Sequence, residues 1–229
     1  MSPIAARLQA VKRRISEALQ GDTRPVRLVA VSKLQSVEAI REAFAAGQRA
    51  FGENYVQEAL AKKAALSDLP IEWHYIGALQ GNKARAIAEN FDWVHGIDRL
   101  KIAEALSRGR PAGRAPLDVC LQVNISNEAT KGGVPPAGAA ALADAVAPLA
   151  GLRLRGLMGM ASPGDDLAAQ RREFALLRET LEQLRARGHE VDTLSMGMTH
   201  DLEAAIAEGA SMVRIGTAIF GERPAKVEA

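Results

Sequence analysis

The chain has 229 residues, 48% hydrophobic and 24% charged, enough to bury the core of one large domain or two small ones and incompatible with a disordered or collagen-like chain. Its 29 Lys plus Arg stand against 27 Asp plus Glu, a net charge of +2, and it holds only 2 Trp, 2 Tyr and 5 Phe. It therefore has neither the basic field nor the aromatic surface that nucleic acid or an anionic membrane calls for, and its one cysteine, Cys120, asks for no oxidising compartment.

The first twenty residues are Arg-rich and amphipathic, in the manner of an organelle transit peptide, but they carry Glu17. Ile4, Leu8, Val11, Ile15 and Leu19 recur at helical spacing, so the segment reads as an ordinary first helix and the chain as cytoplasmic. From residue 27 onward, short apolar runs alternate with helical patterns. The strand-like runs are 27–33, 49–52, 71–77, 93–97, 117–124, 154–158, 191–196 and 212–217. Between them Val37, Ile40 and Phe44 share a helical face, as do Tyr55, Ala59 and Leu60; Ile87 and Phe91 mark a third, and Phe174, Leu177, Leu181 and Leu184 form the clearest stripe. Gly47, Gly109, Gly188 and Gly209 stand where helices should stop. Residues 108–116 read as a loop between a helix and the next strand. The most apolar stretch, 139–152, is broken by Asp144 and Pro148 and does not suit a bilayer span.

Eight strands alternating with helices call for a parallel sheet with right-handed crossovers, and eight is the number that closes a barrel. An open doubly wound sheet would place a Gly-rich turn after the first strand, where this chain has Val31, Ser32 and Lys33. The pattern predicts a single-domain (β/α)8 TIM barrel over residues 1–229 with an extra N-terminal helix.

In such a barrel the residues after each strand share one rim, where the site is built. That rim would hold Lys33, Glu53, Asn54, Gly77, Asn124, Gly216 and Thr217, with the segments 158–160 and 195–198. Lys33 either caps its strand in solvent or sits in the barrel mouth, where desolvation lowers its pKa and the neutral amine can attack a carbonyl. The loops containing Ser195, Gly197 and Thr199, and Arg214, Gly216 and Thr217, follow strands seven and eight, the recurrent phosphate position of this fold; turn geometry alone would also account for their glycines. Barrel closure sets Lys33 beside them, which points to a phosphorylated carbonyl compound: pyridoxal phosphate or a sugar phosphate.

Arg214 alternates with Ile215 and so points inward, either toward a pyridine nitrogen, which it would keep unprotonated, or into a structural ion pair. Met158, Met160, Met196 and Met198 line an apolar wall or fill the core. His74, His95, His189 and His200 lack metal-ligand spacing, and no metal site is expected. His74 reads as a core residue of strand three. Lys131 is a lid residue or a solvated loop lysine. No Ser-His-Asp order and no nucleophile elbow occur.

Several runs resemble one family closely. They are Ala30 to Lys33; Gly47, Gln48, Arg49; Phe51 to Glu58; His74 to Gly77; Leu79, Gln80, Asn82 and Lys83; Leu194 to Met198; and Val213 to Gly221. This pattern is similar to the pyridoxal phosphate homeostasis proteins over about residues 4–221. The resemblance implies a single barrel of the alanine-racemase N-terminal type that holds pyridoxal 5′-phosphate (PLP) as an aldimine on Lys33. It implies a phosphate held by Ser195, Gly197, Gly216 and Thr217, Arg214 near the ring nitrogen and Asn54 close to the cofactor. It also implies no catalytic turnover, a buffering or delivery role, and PLP-dependent apoenzymes as recipients. The chain departs from the family at Ala78, Gly81 and His200, and His200 would make cofactor release pH-sensitive. Only eight residues follow Gly221, so the second domain of the related racemases and decarboxylases is not expected. A weak amino-acid racemase and a Schiff-base aldolase are the alternatives; a monomer is expected.

Overall fold

Ser2 caps the first helix, its hydroxyl accepting from the Ala5 N–H at 3.3 Å, and Pro3 sits in the first turn, where its missing N–H has no helical partner to serve. Helix α1 (Pro3–Ala18) buries Leu8, Val11 and Ile15, as the spacing predicts. The computed structural model describes residues 2–126, 128, 131–164 and 166–222.

The strands are β1 (Arg27–Val31), β2 (Ala50–Glu53), β3 (Glu72–Tyr75), β4 (Trp93–Ile97), β5 (Leu117–Gln122), β6 (Leu152–Met158), β7 (Thr193–Ser195) and β8 (Met212–Ile215). Between and after them run α2 (Val37–Ala45), α3 (Val56–Ala65), α4 (Ala84–Asn90), α5 (Leu100–Gly109), α6 (Ala139–Val146), α7 (Leu167–Ala186), α8 (Leu202–Ala207) and α9 (Thr217–Phe220). The strands close into a barrel in chain order, every neighbouring pair parallel. β8 returns to β1 in a register from Arg27↔Met212 to Ala30↔Ile215. The predicted barrel and its additional first helix are both present.

Strand period divides the apolar residues into two sets. Val29, Ala50, Trp93, Cys120, Met158 and Met212 form a cluster of their own inside the barrel. Ala30, Phe51, Val94, Val119, Leu157, Val213 and Ile215 belong to the larger core between sheet and helices. The α7 stripe of Phe174, Leu177, Leu181 and Leu184 is buried in that outer layer.

Several strands are shorter than their apolar runs. The run at 27–33 leaves the strand after Val31, and that at 191–196 yields only Thr193–Ser195. Backbone at the rim turns away to form the site. Gly47, Gly188 and Gly209 follow helices α2, α7 and α8 with positive φ, as expected of helix stops. Gly109 differs: it is the last residue of α5 and is small because a Cβ there would stand 2.9 Å from the Arg85 Cα of α4. The loop after it is fastened by Arg110, whose Nη1 donates to Ala88 O at 2.6 Å and Phe91 O at 2.8 Å. No helix of the described residues is long and apolar enough to cross a membrane.

Candidate functional site

Lys33 stands two residues past the end of β1, whose Val29 pairs with Arg214 across the closing seam. It lines the barrel mouth. Its two neighbours are fastened. Ser32 is buried; its N–H donates to Gly52 O at 2.9 Å and its hydroxyl to Glu53 Oε1 at 2.6 Å. The Lys62 ammonium, from α3, donates to Ser32 O at 2.7 Å and to Glu53 Oε1 at 2.9 Å. Burial raises the Glu53 carboxyl above its ordinary pKa, and the Lys62 charge and the Ser32 hydroxyl oppose that rise. On the other side Leu34 is held at φ 62, and its N–H donates to Glu58 Oε1 at 2.6 Å.

A pocket of about 260 Å³ opens at this rim and is lined by Lys33, Asn54, Arg214, Gly216 and Thr217, together with Met160, Met198, Thr199 and His200. Five of the seven expected site residues therefore meet in one cavity. Asn54 is placed by close backbone packing: a Cβ on Gly77 would lie 2.3 Å from Asn54 O, so only glycine lets the β3 loop pass there. The Asn54 Oδ1 atom is buried and has no hydrogen-bond partner among the described residues.

Ser195 and Gly197, the other two, do not line the pocket. Ser195 ends β7 pointing into the barrel, where its hydroxyl lies 2.7 Å from Arg214 Nη1 and 2.7 Å from His95 Nδ1. Gly197 sits at φ 95 against α8, a Cβ there falling 2.7 Å from the Ala205 Cβ, and its carbonyl accepts from the Arg214 N–H at 2.9 Å. The hydroxyl residue of this loop that lines the pocket is Thr199. Asp201 accepts from the Met198 N–H, and Arg14 Nη2 of α1 donates to Thr199 O at 3.0 Å, so the loop is tied down from both sides.

Arg214 points inward, as its alternation with Ile215 predicts. It is 5% exposed, and it donates from Nη1 to Ser195 O at 2.6 Å and from Nη2 to Gly159 O at 3.2 Å. Burial lowers its pKa to about 10, which leaves it a cation at neutral pH. Of the four paired methionines, Met158 and Met196 are core residues, and only Met160 and Met198 reach the pocket. Lys131 is part-buried and donates to Glu128 Oε1 at 2.8 Å and to Ala161 O at 3.0 Å. Residues 127, 129 and 130 of its loop lie outside those described. His74 is fully buried in the barrel, a core residue as expected.

The alanine racemase N-terminal domain, as a family model, matches residues 6–224. The pyridoxal phosphate homeostasis protein of Pseudomonas aeruginosa is 58% identical over 226 residues, covering 97% of each chain. The chain belongs to this family. The protein of the same name from Escherichia coli K12 is 48% identical over 229 residues, covering 97% of this chain and 98% of the other. Among solved structures, PipY of Synechococcus elongatus with PLP bound superposes with a TM-score of 0.83 at 41% identity, covering 95% of this chain and all (100%) of that one. Alanine racemase from Corynebacterium glutamicum, 20% identical with a TM-score of 0.72, shares the fold.

Proposed function

We propose that the protein binds pyridoxal 5′-phosphate in the pocket at the Lys33 rim and serves its homeostasis without turning over a substrate. The observation that carries this reading is the meeting, in one cavity, of an amine on a fixed backbone, hydroxyl and glycine positions of the last two loops, and a buried guanidinium. The donor set fits the cofactor. Thr199, Thr217 and Gly216 supply the hydroxyls and close backbone that suit a phosphate. Asn54 Oδ1 supplies an unused acceptor for a ring substituent. Arg214, charged at neutral pH, is a donor suited to an unprotonated ring nitrogen. Lys33 supplies the amine that joins the aldehyde carbon, with loss of water.

When bound, the cofactor supplies an electrophilic carbon and an electron sink; the chain's residues decide how far either is used. A cationic donor at the ring nitrogen weakens the sink, which suits storage more than carbanion chemistry. Relatives named for pyridoxal phosphate homeostasis, and the PipY structure with PLP bound, support PLP binding and a part in its homeostasis. A monomer in the cytoplasm that passes PLP to apoenzymes completes the proposal.

The visible spectrum of freshly purified protein tests it. Colour is expected, and borohydride should fix the cofactor mass on Lys33. Attachment at another lysine, or no uptake of added PLP, would overturn the site. Incubation with L- and D-alanine is expected to leave optical rotation unchanged; sustained inversion would make the protein a racemase.

A further inference from the structure

A line of hydrogen bonds runs through the barrel from the pocket to the opposite rim. Arg214 Nη1 lies 2.7 Å from Ser195 Oγ, which lies 2.7 Å from His95 Nδ1. His95 Nε2 lies 2.9 Å from His74 Nδ1, and His74 Nε2 lies 2.7 Å from Glu72 Oε1. Glu72 opens β3 at the N-terminal rim, where Arg27 Nη1 donates to it at 2.9 Å. Ser195, His95 and His74 are each 0% exposed, whereas the Glu72 side chain is 35% exposed and faces a separate cleft of about 550 Å³.

The protons along this line have only one consistent arrangement. A carboxylate only accepts, so His74 donates from Nε2 and, being neutral, accepts at Nδ1. His95 must then donate from Nε2 and accept at Nδ1, which turns the Ser195 hydroxyl proton toward His95. The Ser195 oxygen is left to accept from Arg214. Burial holds both histidines below their ordinary pKa, and further for His95, where the Arg214 charge acts in the same direction. Arg27 and Arg155 lie over Trp93, whose ring stacks on His74 at 5.5 Å, adding positive charge on that side. Glu72 stays ionised: burial works against it, but the hydrogen bond from His74 and the Arg27 charge outweigh burial and lower its pKa.

We propose that Glu72, His74, His95 and Ser195 are positioning residues for Arg214, a one-way relay that fixes which guanidinium N–H groups remain for the cofactor's ring nitrogen. The relay rests on the reading of the pocket as a PLP site, and Glu72, at the far rim, acts on that site only through it.

Histidine nitrogen-15 spectra of the full chain, taken without cofactor at pH 7–8, test the proton arrangement. Both His74 and His95 are expected to be neutral and protonated on Nε2; a proton on Nδ1 of either, or a cationic ring, overturns the relay. PLP titration of Glu72→Ala and Glu72→Gln tests its effect. Glu72→Ala is expected to shift the absorption maximum of bound PLP and weaken binding by about tenfold, while Glu72→Gln, which still accepts from His74, restores the wild-type spectrum. A Glu72→Ala protein with wild-type spectrum and affinity overturns the proposal. Should Glu72→Ala not fold, the nitrogen-15 spectra decide. Failure of the wild-type chain to take up PLP would sink the pocket reading, leaving the tautomers to judge the relay separately.

Discussion

Ser195 and Thr199 lie four residues apart and answer to different surroundings. Ser195 ends β7 with its hydroxyl turned onto Arg214 and His95 inside the barrel, whereas Thr199 lies beyond the turn and faces the pocket. Thr199→Ala removes a donor suited to the phosphate, and a hydrogen bond to a charged group is worth roughly 1.5–3 kcal/mol, so PLP affinity is expected to fall about tenfold to a hundredfold. Equilibrium titration of the two proteins measures it; an unchanged constant would remove Thr199 from the site. Gly77→Ala is expected to act on the same pocket from behind. Its Cβ at 2.3 Å from Asn54 O must displace that backbone, costing about 1–3 kcal/mol of stability and loosening PLP, read by urea unfolding and titration. Arg214 was legible in the sequence because strand parity turns it inward, and Lys33 and Thr217 because chain order sets them just past β1 and β8. The placements of Ser195 and Thr199 were not, because where a strand ends depends on which backbone groups leave the ladder, and the apolar run 191–196 does not mark that point.

At the scale of elements, the first helix does more than cover apolar surface. α1 packs across the seam where β8 meets β1, beside α2, α8 and α9. From there Arg14 pairs with Glu203 of α8 at 2.9 Å and holds the Thr199 carbonyl. Arg14→Ala is expected to leave stability nearly unchanged, since half-exposed pairs contribute about 1 kcal/mol or less, yet to raise the PLP dissociation rate by releasing the loop. Leu8→Ala should separate the two contributions of the helix. Leu8 is fully buried, so its loss is expected to destabilise by about 2–5 kcal/mol, measured by chemical denaturation. The eight-strand alternation and the amphipathic spacing of α1 made the architecture readable. The clamp from α1 to the site was not readable, because a charged residue on a helix surface carries no mark of the distant carbonyl it meets.

The molecule as a whole should weaken in mild acid. His74 and His95 lie wholly inside the barrel, and burial depresses the pKa of both. An unfolded chain, with histidines near 6.5, then binds more protons than the folded one as the pH drops below about 6.5. Stability falls by up to about 1.4 kcal/mol per pH unit for each histidine and continues to fall until the folded-state values are passed. Urea midpoints at pH 7.5, 6.5 and 5.5 measure the slope; a flat series would mean that the rings are already protonated inside the barrel or reached by water. His95→Phe is expected to remove one histidine's share of that slope.

Leu34, the residue after the Lys33 amine proposed to take the cofactor, sits in the left-handed region with a side chain that disfavours it by on the order of 1–2 kcal/mol. The fold tolerates that penalty at the one turn from which the amine springs. Under the proposed reading, capture of an aldehyde at Lys33 begins without any loop first finding its shape. Leu34→Gly should reverse the bargain: a higher melting temperature, and a slower, more temperature-sensitive onset of colour in stopped-flow mixing.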